Sequence, residues 1–584
     1  MHAAIYTTRV PFAFLFTAAL LASRAAPAQN ALPQHSADSP VVVDAGEFHF
    51  AEDGAEDELV VLEASTSICD CAACKAAAQG KQAAGCQTCC HGRTIDWSKY
   101  PDTIRPMPRP GIFPIPPNQG PAYFSMWDQL TGQCRQAPPK SGYAPFAINA
   151  WPFFDADWRF VESIDPAERT LVEKLKRIHV NDCLMFSTGG EFWSRYENKH
   201  NAGLTTAEND YTLDHVRLYG DLWYSDWLRF YGEYVWADSF GEDLPPGGPD
   251  VDRGDILDMF VDVKAFEFQD QPVYVRAGRQ ELLYGSQRLV TPLPWANKRH
   301  SFDGVKVFRR GEKWDFDAFW TQYVPANANN FDTADTDQNF AGTWLTHRRK
   351  KGETIDFYYL LYDNDNSATQ QGIVRSPFQN HTFGSRWAGD NNGFLWDFEG
   401  ALQCGQQAGN DIFAGMATAG VGGNWKDCSL KPTLWLYYDY ASGDSDPNSG
   451  DVHTFNQQFP FGHYYLGWMD LVGRQNIHDL NAHLYLYPTP WLTMWLQYHR
   501  FWLDQRRDAL YNAGGVAYRR DPTGSAGNNV GDEIDLVLNF HLTRYSDILV
   551  SYNKLYGGGF LQATSGPNRA IDAESLYLMF QQRW

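Results

Sequence analysis

Short runs in which apolar and polar residues alternate recur across residues 181–584. In residues 215–222, for example, Arg217 stands between Val216 and Leu218. A period of two residues is typical of β-strands with one apolar face. The same period recurs at residues 228–236, 355–361, 434–438, 492–498, 534–540 and 548–552. The pattern therefore predicts an all-β fold for this region, built from antiparallel strands.

Two kinds of β structure alternate in this way. A soluble sandwich turns its apolar face inward, whereas a membrane barrel turns it toward lipid and can line a watery lumen with charge. Short turns and long loops rich in Asp, Asn and Gly follow one another here, which is typical of transmembrane barrels. Aromatic residues also gather near predicted strand ends, as interfacial girdles do: Trp223, Tyr224, Trp227, Tyr485, Tyr487, Trp491 and Trp495. We therefore predict a large antiparallel transmembrane β-barrel.

The end of the chain supports the same prediction. Leu576, Leu578 and Phe580 alternate up to the final Trp584, which is similar to the terminal strand that outer-membrane assembly machinery recognises. Gln582 departs from that pattern, because an aromatic residue usually stands there. At roughly ten residues per strand, residues 181–584 accommodate about 16 to 18 strands, enough to enclose an aqueous channel.

Composition excludes several classes of protein. Hydrophobic residues make up 43% and charged residues 20% of the chain, so it is not a disordered protein. After residue 25 no apolar stretch is long enough for a membrane helix, which excludes a helical-bundle membrane protein. A net charge of -22 argues against a nucleic-acid partner. No serine elbow, zinc-helix motif or phosphate loop occurs, so we expect neither an enzyme nor a cofactor.

Residues 1–28 are predicted to be a secretory signal peptide. A short apolar core runs from Val10 to Ala22, and small residues stand at both cleavage-determining positions, Ala26 and Ala28. The core is too short to span a bilayer. The mature chain would begin near Gln29, in an oxidising compartment.

Residues 29–150 form a cysteine- and proline-rich segment, with a run of prolines between Pro101 and Pro121 that excludes helix. Three disulfide bonds could cross-link this segment, and six cysteines allow 15 pairings. A metal site is the alternative, because thiolates and imidazole are suitable ligands. The motif at Cys86 and Cys90 also resembles a haem attachment site widened by one residue. The disulfide or metal candidates are Cys69, Cys71, Cys74, Cys86, Cys89, Cys90 and His91.

Residues 151–180 are predicted to be a linker that contains one short helix. Asp165 followed by Pro166 is typical of a helix start. Leu171, Leu175 and Ile178 then recur at helical spacing. The barrel would follow from residue 181 to residue 584.

Four separated motifs, in order along the chain, resemble those of the alginate export family. They are GGEFWSRYE at 189–197, GRQELLYGSQRLV at 278–290 with WANKRHSFDGVKV at 295–307, the block at 438–477, and HRFWLDQRRDALYNAGG at 499–515. The resemblance implies an 18-stranded outer-membrane barrel through which an anionic polysaccharide leaves the periplasm, together with periplasmic export components. Residues 29–150 lie outside it.

A channel for a polyuronate needs fixed positive charge in its lumen, and arginine stays ionised and binds carboxylates in a bidentate manner. By alternation, Arg217, Arg229 and Arg386 face inward. The resemblance implies the same role for Arg195, Arg279 and Arg288.

Two questions about these arginines stay open at this level. Arg276 and Arg279 cannot both face inward without a bulge. Each arginine could also simply pair with a lumen carboxylate, for which the candidates are Glu191, Glu233, Asp317 and Glu399.

Two further motifs contain aspartates that could have either a structural or a functional role. Asp444 and Asp446 could bind Ca²⁺, but their spacing falls short of a calcium loop, and a solvated loop is the alternative. Asp303 and Gly304 are expected to form a turn.

The sequence thus predicts a passive outer-membrane channel that exports an alginate-like polyuronate. The first alternative is a general or uptake porin for small anionic solutes or oligosaccharides. The second is a surface-structural protein in which the barrel anchors residues 29–150 to the membrane.

Overall fold

The computed structural model describes residues 122–123, 126–131, 135–136, 152–156, 158, 161–162, 165–350, 352–425, 427–489, 491–543 and 545–584. The predicted signal peptide, the cysteine cluster with His91 and the proline-rich run lie outside these residues. Within the N-terminal segment, strands Ala122–Tyr123 and Arg135–Gln136 pair with each other, and a helix spans Met126–Thr131.

Eighteen long strands form the body of the structure, which confirms the predicted all-β fold. They are β1 (Leu184–His200), β2 (Asn209–Tyr224), β3 (Leu228–Phe240), β4 (Asp252–Phe268), β5 (Gln271–Gln280), β6 (Ser301–Arg310), β7 (Trp314–Val324), β8 (Gln338–Lys350), β9 (Glu353–Gln370), β10 (Ile373–Asn391), β11 (Phe394–Gln407), β12 (Asn410–Asn424), β13 (Thr433–Ala441), β14 (Ile477–Thr489), β15 (Leu492–Leu503), β16 (Asn529–Thr543), β17 (Ser546–Gly557) and β18 (Ala573–Arg583).

Each strand pairs antiparallel with the next, and the last strand closes the ring on the first. In that closing pair, Arg583 of β18 lies opposite Glu191 of β1. Backbone hydrogen bonds between Trp584 and Gly190, at 3.0 and 3.1 Å, extend the seam to the end of the chain. A closed barrel leaves no strand edge unpaired.

The two ends of the barrel differ in their connections. At one end, here called the turn end, most strands are joined by two or three residues, as at 225–227 and 311–313. The opposite end, here called the loop end, carries the long connections 281–300, 442–476 and 504–528. The two chain termini of the barrel, at β1 and β18, lie at the turn end.

The remaining elements are short. Helical turns span Phe153–Asp155, Pro166–Glu168, Leu171–Lys174, Ala202–Leu204, Gly462–Tyr465 and Gly559–Ala563. Strand Ile178–His179 pairs with β1, and Ala509–Tyr511 pairs with Ala517–Arg520. No helix among the described residues is long and apolar enough to cross a membrane.

The helix before the barrel is shorter than its sequence pattern indicated. Asp165 caps the first turn by accepting a hydrogen bond from the Ala167 N–H at 2.8 Å. The α-helix itself ends at Lys174, and Ile178 belongs to a strand. The chain turns at Arg177, where φ is 50°, a left-handed conformation that a helix cannot continue through.

The outer face of the barrel is apolar and the inner face is polar, as alternation requires. Leu218 is 44% exposed, whereas its neighbour Arg217 is 0% exposed. Exposed aromatic side chains ring the turn end, at Tyr224, Trp227, Phe268, Trp314, Phe394 and Trp425. Some residues assigned to a girdle from the sequence lie inside instead, among them Tyr487, which packs against the interior cluster. Tyr485 and Trp495 are buried and stack on each other with ring centroids 5.2 Å apart.

Gly304 does not form the turn expected from the sequence, because it lies within β6. A Cβ at this position would lie 2.2 Å from the Trp320 carbonyl oxygen and 2.6 Å from the Thr321 Cα. The glycine therefore allows β6 and β7 to approach closely.

Replacing Gly304 with alanine should lower the free energy of unfolding by about 1–3 kcal/mol, because the strand backbone has no room to move away. Urea unfolding of the barrel in lipid vesicles measures this. Gly232→Ala is the matched control, since nothing lies within 4 Å of a Cβ at Gly232. Equal midpoints for the two variants would contradict the close-approach argument.

Candidate functional site

The inner face of the barrel carries a dense set of buried charges. The basic side chains on the strands include Arg195, Arg217, Arg229, Arg276, Lys306, Arg310 and Arg386. The acidic ones include Glu191, Glu197, Glu233, Asp258, Asp262, Asp317, Asp356, Asp397, Glu399, Asp439, Asp479, Glu533 and Asp535. Charges removed from bulk water need partners close by, and the arrangement of these partners defines the site.

Arg217 and Arg229 lie on neighbouring strands in the half of the barrel nearer the turn end. The Arg217 guanidinium bonds Glu233 and lies 3.7 Å from Glu191. Arg229 forms a bidentate pair with Asp221 at 2.7 and 2.9 Å. Both arginines are thus held in fixed orientations by carboxylates.

Arg195 and Arg386 lie on opposite parts of the inner wall. Arg195 pairs with Glu197 at 2.5 Å and donates to the Trp295 carbonyl oxygen at 2.7 Å. Arg386 pairs with Asp397 at 2.7 Å. Its strand neighbours Phe383 and Trp387 are exposed on the outer face, so alternation assigns its direction correctly.

Arg288 lies on a loop and not on a strand, yet it is buried inside the barrel. Its guanidinium reaches Asp397 at 2.8 Å and Glu399 at 2.9 Å, both on β11. Asp397 therefore bridges Arg288 and Arg386, which the structure brings together across a single carboxylate.

The ambiguity between Arg276 and Arg279 is resolved by strand register. Arg276 is 1% exposed and forms a bidentate pair with Asp262 at 2.7 and 2.8 Å. Arg279 lies opposite Met259, whose side chain is exposed on the outer face, and pairs with Asp303 at 2.8 Å. The expectation that Arg279 lines the lumen is therefore wrong, because alternation places it on the outward-facing row.

Sequence reasoning missed several basic groups of the interior. Lys306 stands between Val305 and Val307 on β6, so alternation could have found it. Arg310 pairs with Asp317 at 2.8 Å. Arg474 lies on a loop and pairs with Asp439 of β13 at 2.6 Å. No local sequence pattern predicts this contact.

Two long connections fold from the loop end into the barrel. Inner loop 1 is 281–300 and inner loop 2 is 442–476. They meet through backbone hydrogen bonds between Thr291 N–H and the Phe459 carbonyl oxygen at 2.9 Å, and between Phe459 N–H and the Leu289 carbonyl oxygen at 3.0 Å. Tyr465 adds a hydrogen bond to the Ser286 carbonyl oxygen at 2.6 Å.

Aromatic side chains pack the two inner loops against the wall. The Trp295 ring stacks on His463 with centroids 4.2 Å apart and meets Trp468 edge-on at 5.0 Å. Phe459 packs on Phe302, Tyr323, Phe340 and Tyr362. In this structure the loops fill the interior that an 18-stranded barrel would otherwise leave open.

A third element enters the barrel from the turn end. The centroid of the Phe153 ring lies 4.1 Å from the Arg217 guanidinium. The centroid of the Phe154 ring lies 4.5 Å from the Arg276 guanidinium. Glu281 of inner loop 1 lies 3.9 Å from the same Arg217. Arg217 is thus contacted by chain segments entering from both ends.

Lys176 fixes the chain that follows this element to the barrel seam. Its ammonium donates to the Thr188 carbonyl oxygen at 2.7 Å, the Tyr219 hydroxyl at 2.7 Å and the Trp584 carbonyl oxygen at 3.0 Å. Burial lowers the pKa of Lys176 to about 7, although the nearby Asp221 carboxylate opposes the shift. The lysine is therefore ionised below neutral pH and loses its charge above it.

Asp444 and Asp446 both accept hydrogen bonds within inner loop 2. The Asp444 carboxylate accepts from the N–H groups of Asp446 at 2.9 Å and His453 at 3.2 Å. Asp446 accepts from the Ser449 hydroxyl at 2.8 Å. These contacts shape inner loop 2. Asp446 is exposed, as a solvated loop requires, whereas Asp444 is buried.

Among the described residues, one trio of carboxylates is close enough to hold a metal ion: Asp252, Asp255 and Asp332. The Lys298 ammonium already lies 2.6 Å from Asp252 and 2.5 Å from Asp332. This lysine supplies the positive charge that the trio needs.

A family model described as alginate export matches residues 185–571. The chain belongs to the alginate export family. This member of the alginate export family is therefore a channel of the outer membrane. Short turns of outer-membrane barrels face the periplasm. The turn end is accordingly periplasmic, and the inner loops enter from the extracellular side.

Solved structures of outer-membrane proteins from Pseudomonas aeruginosa are also similar to this chain. OccK8 (OprE) is 10% identical, with a TM-score of 0.46, and the alignment covers 68% of this chain and 98% of that one. OpdK, crystallised with vanillate, is 12% identical, with a TM-score of 0.45 and coverage of 69% and 98%. A search of curated proteins gave no match.

Proposed function

We propose that this channel passes an alginate-like polyuronate out of the periplasm, along the arginines of its inner wall. The observation that carries the proposal is the set of buried guanidinium groups at Arg195, Arg217, Arg229, Arg276 and Arg386. Membership of the alginate export family supports the choice of an anionic polysaccharide.

The wall carboxylates fit this function as well as the arginines do. A polyuronate carries one carboxylate per sugar, which is the same group that Asp221, Asp262 and Asp397 present to the arginines. A passing polymer can replace a wall carboxylate as the partner of a guanidinium, so each step exchanges one ion pair for another. Such exchange keeps binding weak enough for the polymer to leave, which conduction requires.

Transport on this proposal requires the inner loops to move. Inner loop 1 is held by Arg288 on Asp397 and Glu399, and inner loop 2 is held by Arg474 on Asp439. These ion pairs use the same chemistry as the substrate. A polyuronate that reaches Arg288 competes with Asp397 and Glu399 for it, and can thereby release the loop.

Block of the ion current by polyuronate tests the proposal. In planar bilayers with a salt gradient, open events of the wild-type channel should favour anions, and polyuronate added to the periplasmic side should block them. Arg229→Gln should weaken the block by about tenfold or more, because a charge-assisted hydrogen bond contributes about 1.5–3 kcal/mol.

Arg309→Gln is the matched control, because Arg309 is half-buried at the periplasmic end and donates to the Phe268 carbonyl oxygen and to Gln269, outside the lumen. It should leave the block unchanged. Cation selectivity without block would overturn the export proposal. Passage of small anions without block by the polymer would instead favour a general or uptake porin.

A further inference from the structure

Residues 152–156 lie inside the periplasmic mouth of the barrel. Residues Phe153–Asp155 form a 3-10 turn, closed by a hydrogen bond from the Asp155 N–H to the Pro152 carbonyl oxygen at 3.1 Å. Phe154 is 4% exposed and Asp155 is 1% exposed. A segment that merely leads into the first strand would not need to bury a phenylalanine and a carboxylate within the channel.

The two phenylalanine rings cover the arginines that line the mouth. Phe153 lies 4.1 Å from the Arg217 guanidinium, and Phe154 lies 4.5 Å from that of Arg276. Phe154 also packs edge-on against Tyr231 and Phe260, with centroids 5.5 and 5.1 Å away. An arginine stacked on an aromatic face is attracted to it and is shielded from other ligands.

The polar groups of the segment meet the same basic cluster. Arg229 donates to the Phe154 carbonyl oxygen at 2.7 Å. The buried Asp155 carboxylate interacts electrostatically with Arg229 and with Lys306. A flat ring, a neutral oxygen and a carboxylate are thus presented together to a set of cations. A uronate residue presents the same combination, since it has a sugar face, hydroxyl oxygens and a carboxylate.

We propose that Pro152–Asp155 is a built-in plug, which occupies a carboxylate-binding subsite at the periplasmic mouth and is displaced by a uronate residue of the incoming polymer. The identity of the displacing ligand rests on the proposed function, whereas the plug itself does not. The subsite consists of Arg217, Arg229, Arg276 and Lys306.

The plug is suited to release and return. It is only four residues long, while a polymer brings many carboxylates in succession and rebinds at high effective concentration. The Lys176 hydrogen bonds to Thr188 and Trp584 hold the following chain at the seam. A displaced plug therefore stays close to the mouth and can reseat when the polymer has passed.

Single-channel conductance in potassium chloride alone tests the plug without any polymer. The full-length variant Phe154→Ala/Asp155→Asn should show open events of about twofold larger conductance than the wild type, because the mouth is no longer filled. Asp155→Asn alone is the milder second variant and should give a smaller increase. Asp165→Asn is the matched control, since Asp165 is exposed outside the mouth and caps a turn.

Hydrogen exchange of residues 152–156 tests the displacement. Adding an oligouronate to the wild-type protein should speed exchange of the Asp155 and Ala156 N–H groups, whose hydrogen bonds close the turn. A neutral glucan of equal length should not.

The two measurements separate the two proposals. If both mouth variants conduct like the wild type and like Asp165→Asn, the plug is overturned. If the variants conduct more but the oligouronate leaves exchange unchanged, displacement by uronate is overturned and the plug stands. If polyuronate also fails to block the current, the export function fails while the plug is retained.

Discussion

Replacing residues 445–471 of inner loop 2 with a short glycine–serine turn is expected to raise the single-channel conductance by about fivefold or more. The replaced stretch contains Phe459, His463 and Trp468, whose rings fill the barrel interior. A barrel of 18 strands without such a filling encloses an aqueous channel. The conductance should therefore rise because the filling is removed, with the wall unchanged.

The bounds of the replacement keep the barrel intact. Asp444 and Arg474 remain, so the ion pair of Arg474 with Asp439 is preserved. Strands β13 and β14 are adjacent and antiparallel, so a short turn can join them. Inner loop 1 loses the contacts of Thr291 and Leu289 with Phe459, and should become mobile as a consequence.

Shortening the exposed loop at residues 243–246 is the control, because these residues lie at the loop end and outside the lumen. Planar-bilayer recording of both variants in potassium chloride decides the question. If the inner-loop replacement conducts like the wild type, then the inner loops are not what closes the channel.

The strands were predictable because alternation is a local property. A lipid-facing row and a lumen-facing row follow from a period of two residues, which placed Arg217, Arg229 and Arg386 correctly on the inner face. Alternation no longer predicts which way a side chain points near the end of a strand, where the pairing register with the neighbouring strands determines the direction. Arg279 stands three residues after Arg276, so one of them must face outward, and pairing with β4 and β6 selects Arg279.

The filling of the barrel could not be predicted in the same way. Inner loop 1 contains most of the family motif at 278–290, but a sequence motif does not show whether a loop folds into the barrel or away from it. The ion pair of Arg288 with Asp397 joins residues more than one hundred positions apart in the chain. The contact of Phe153 with Arg217 likewise joins a segment outside the barrel to its inner wall. Only the folded structure brings such groups together.

Replacing Arg217 with methionine is expected to lower the free energy of unfolding by about 3–5 kcal/mol, the usual effect of removing one partner of a buried ion pair. Arg217 is fully buried and bonds Glu233, and Glu191 and Glu281 lie within 3.9 Å of it. Methionine fills a similar volume but leaves these carboxylates without their shared cation. Urea unfolding in lipid vesicles measures the loss.

The partner variant separates lost charge from lost packing. If the three carboxylates destabilise Arg217→Met, then adding Glu233→Gln should restore part of the stability, because one buried negative charge is removed with its cation. Arg349→Met is the exposed control, because the Arg349 side chain is 63% exposed, and it should change the free energy of unfolding by less than about 1 kcal/mol. If Arg217→Met is as stable as this control, the carboxylates around Arg217 do not depend on its charge for stability, and the guanidinium is then available to a ligand without loss of stability. A large loss that Glu233→Gln partly restores would instead mean that a polyuronate can take Arg217 only by offering a carboxylate in place of the one it displaces.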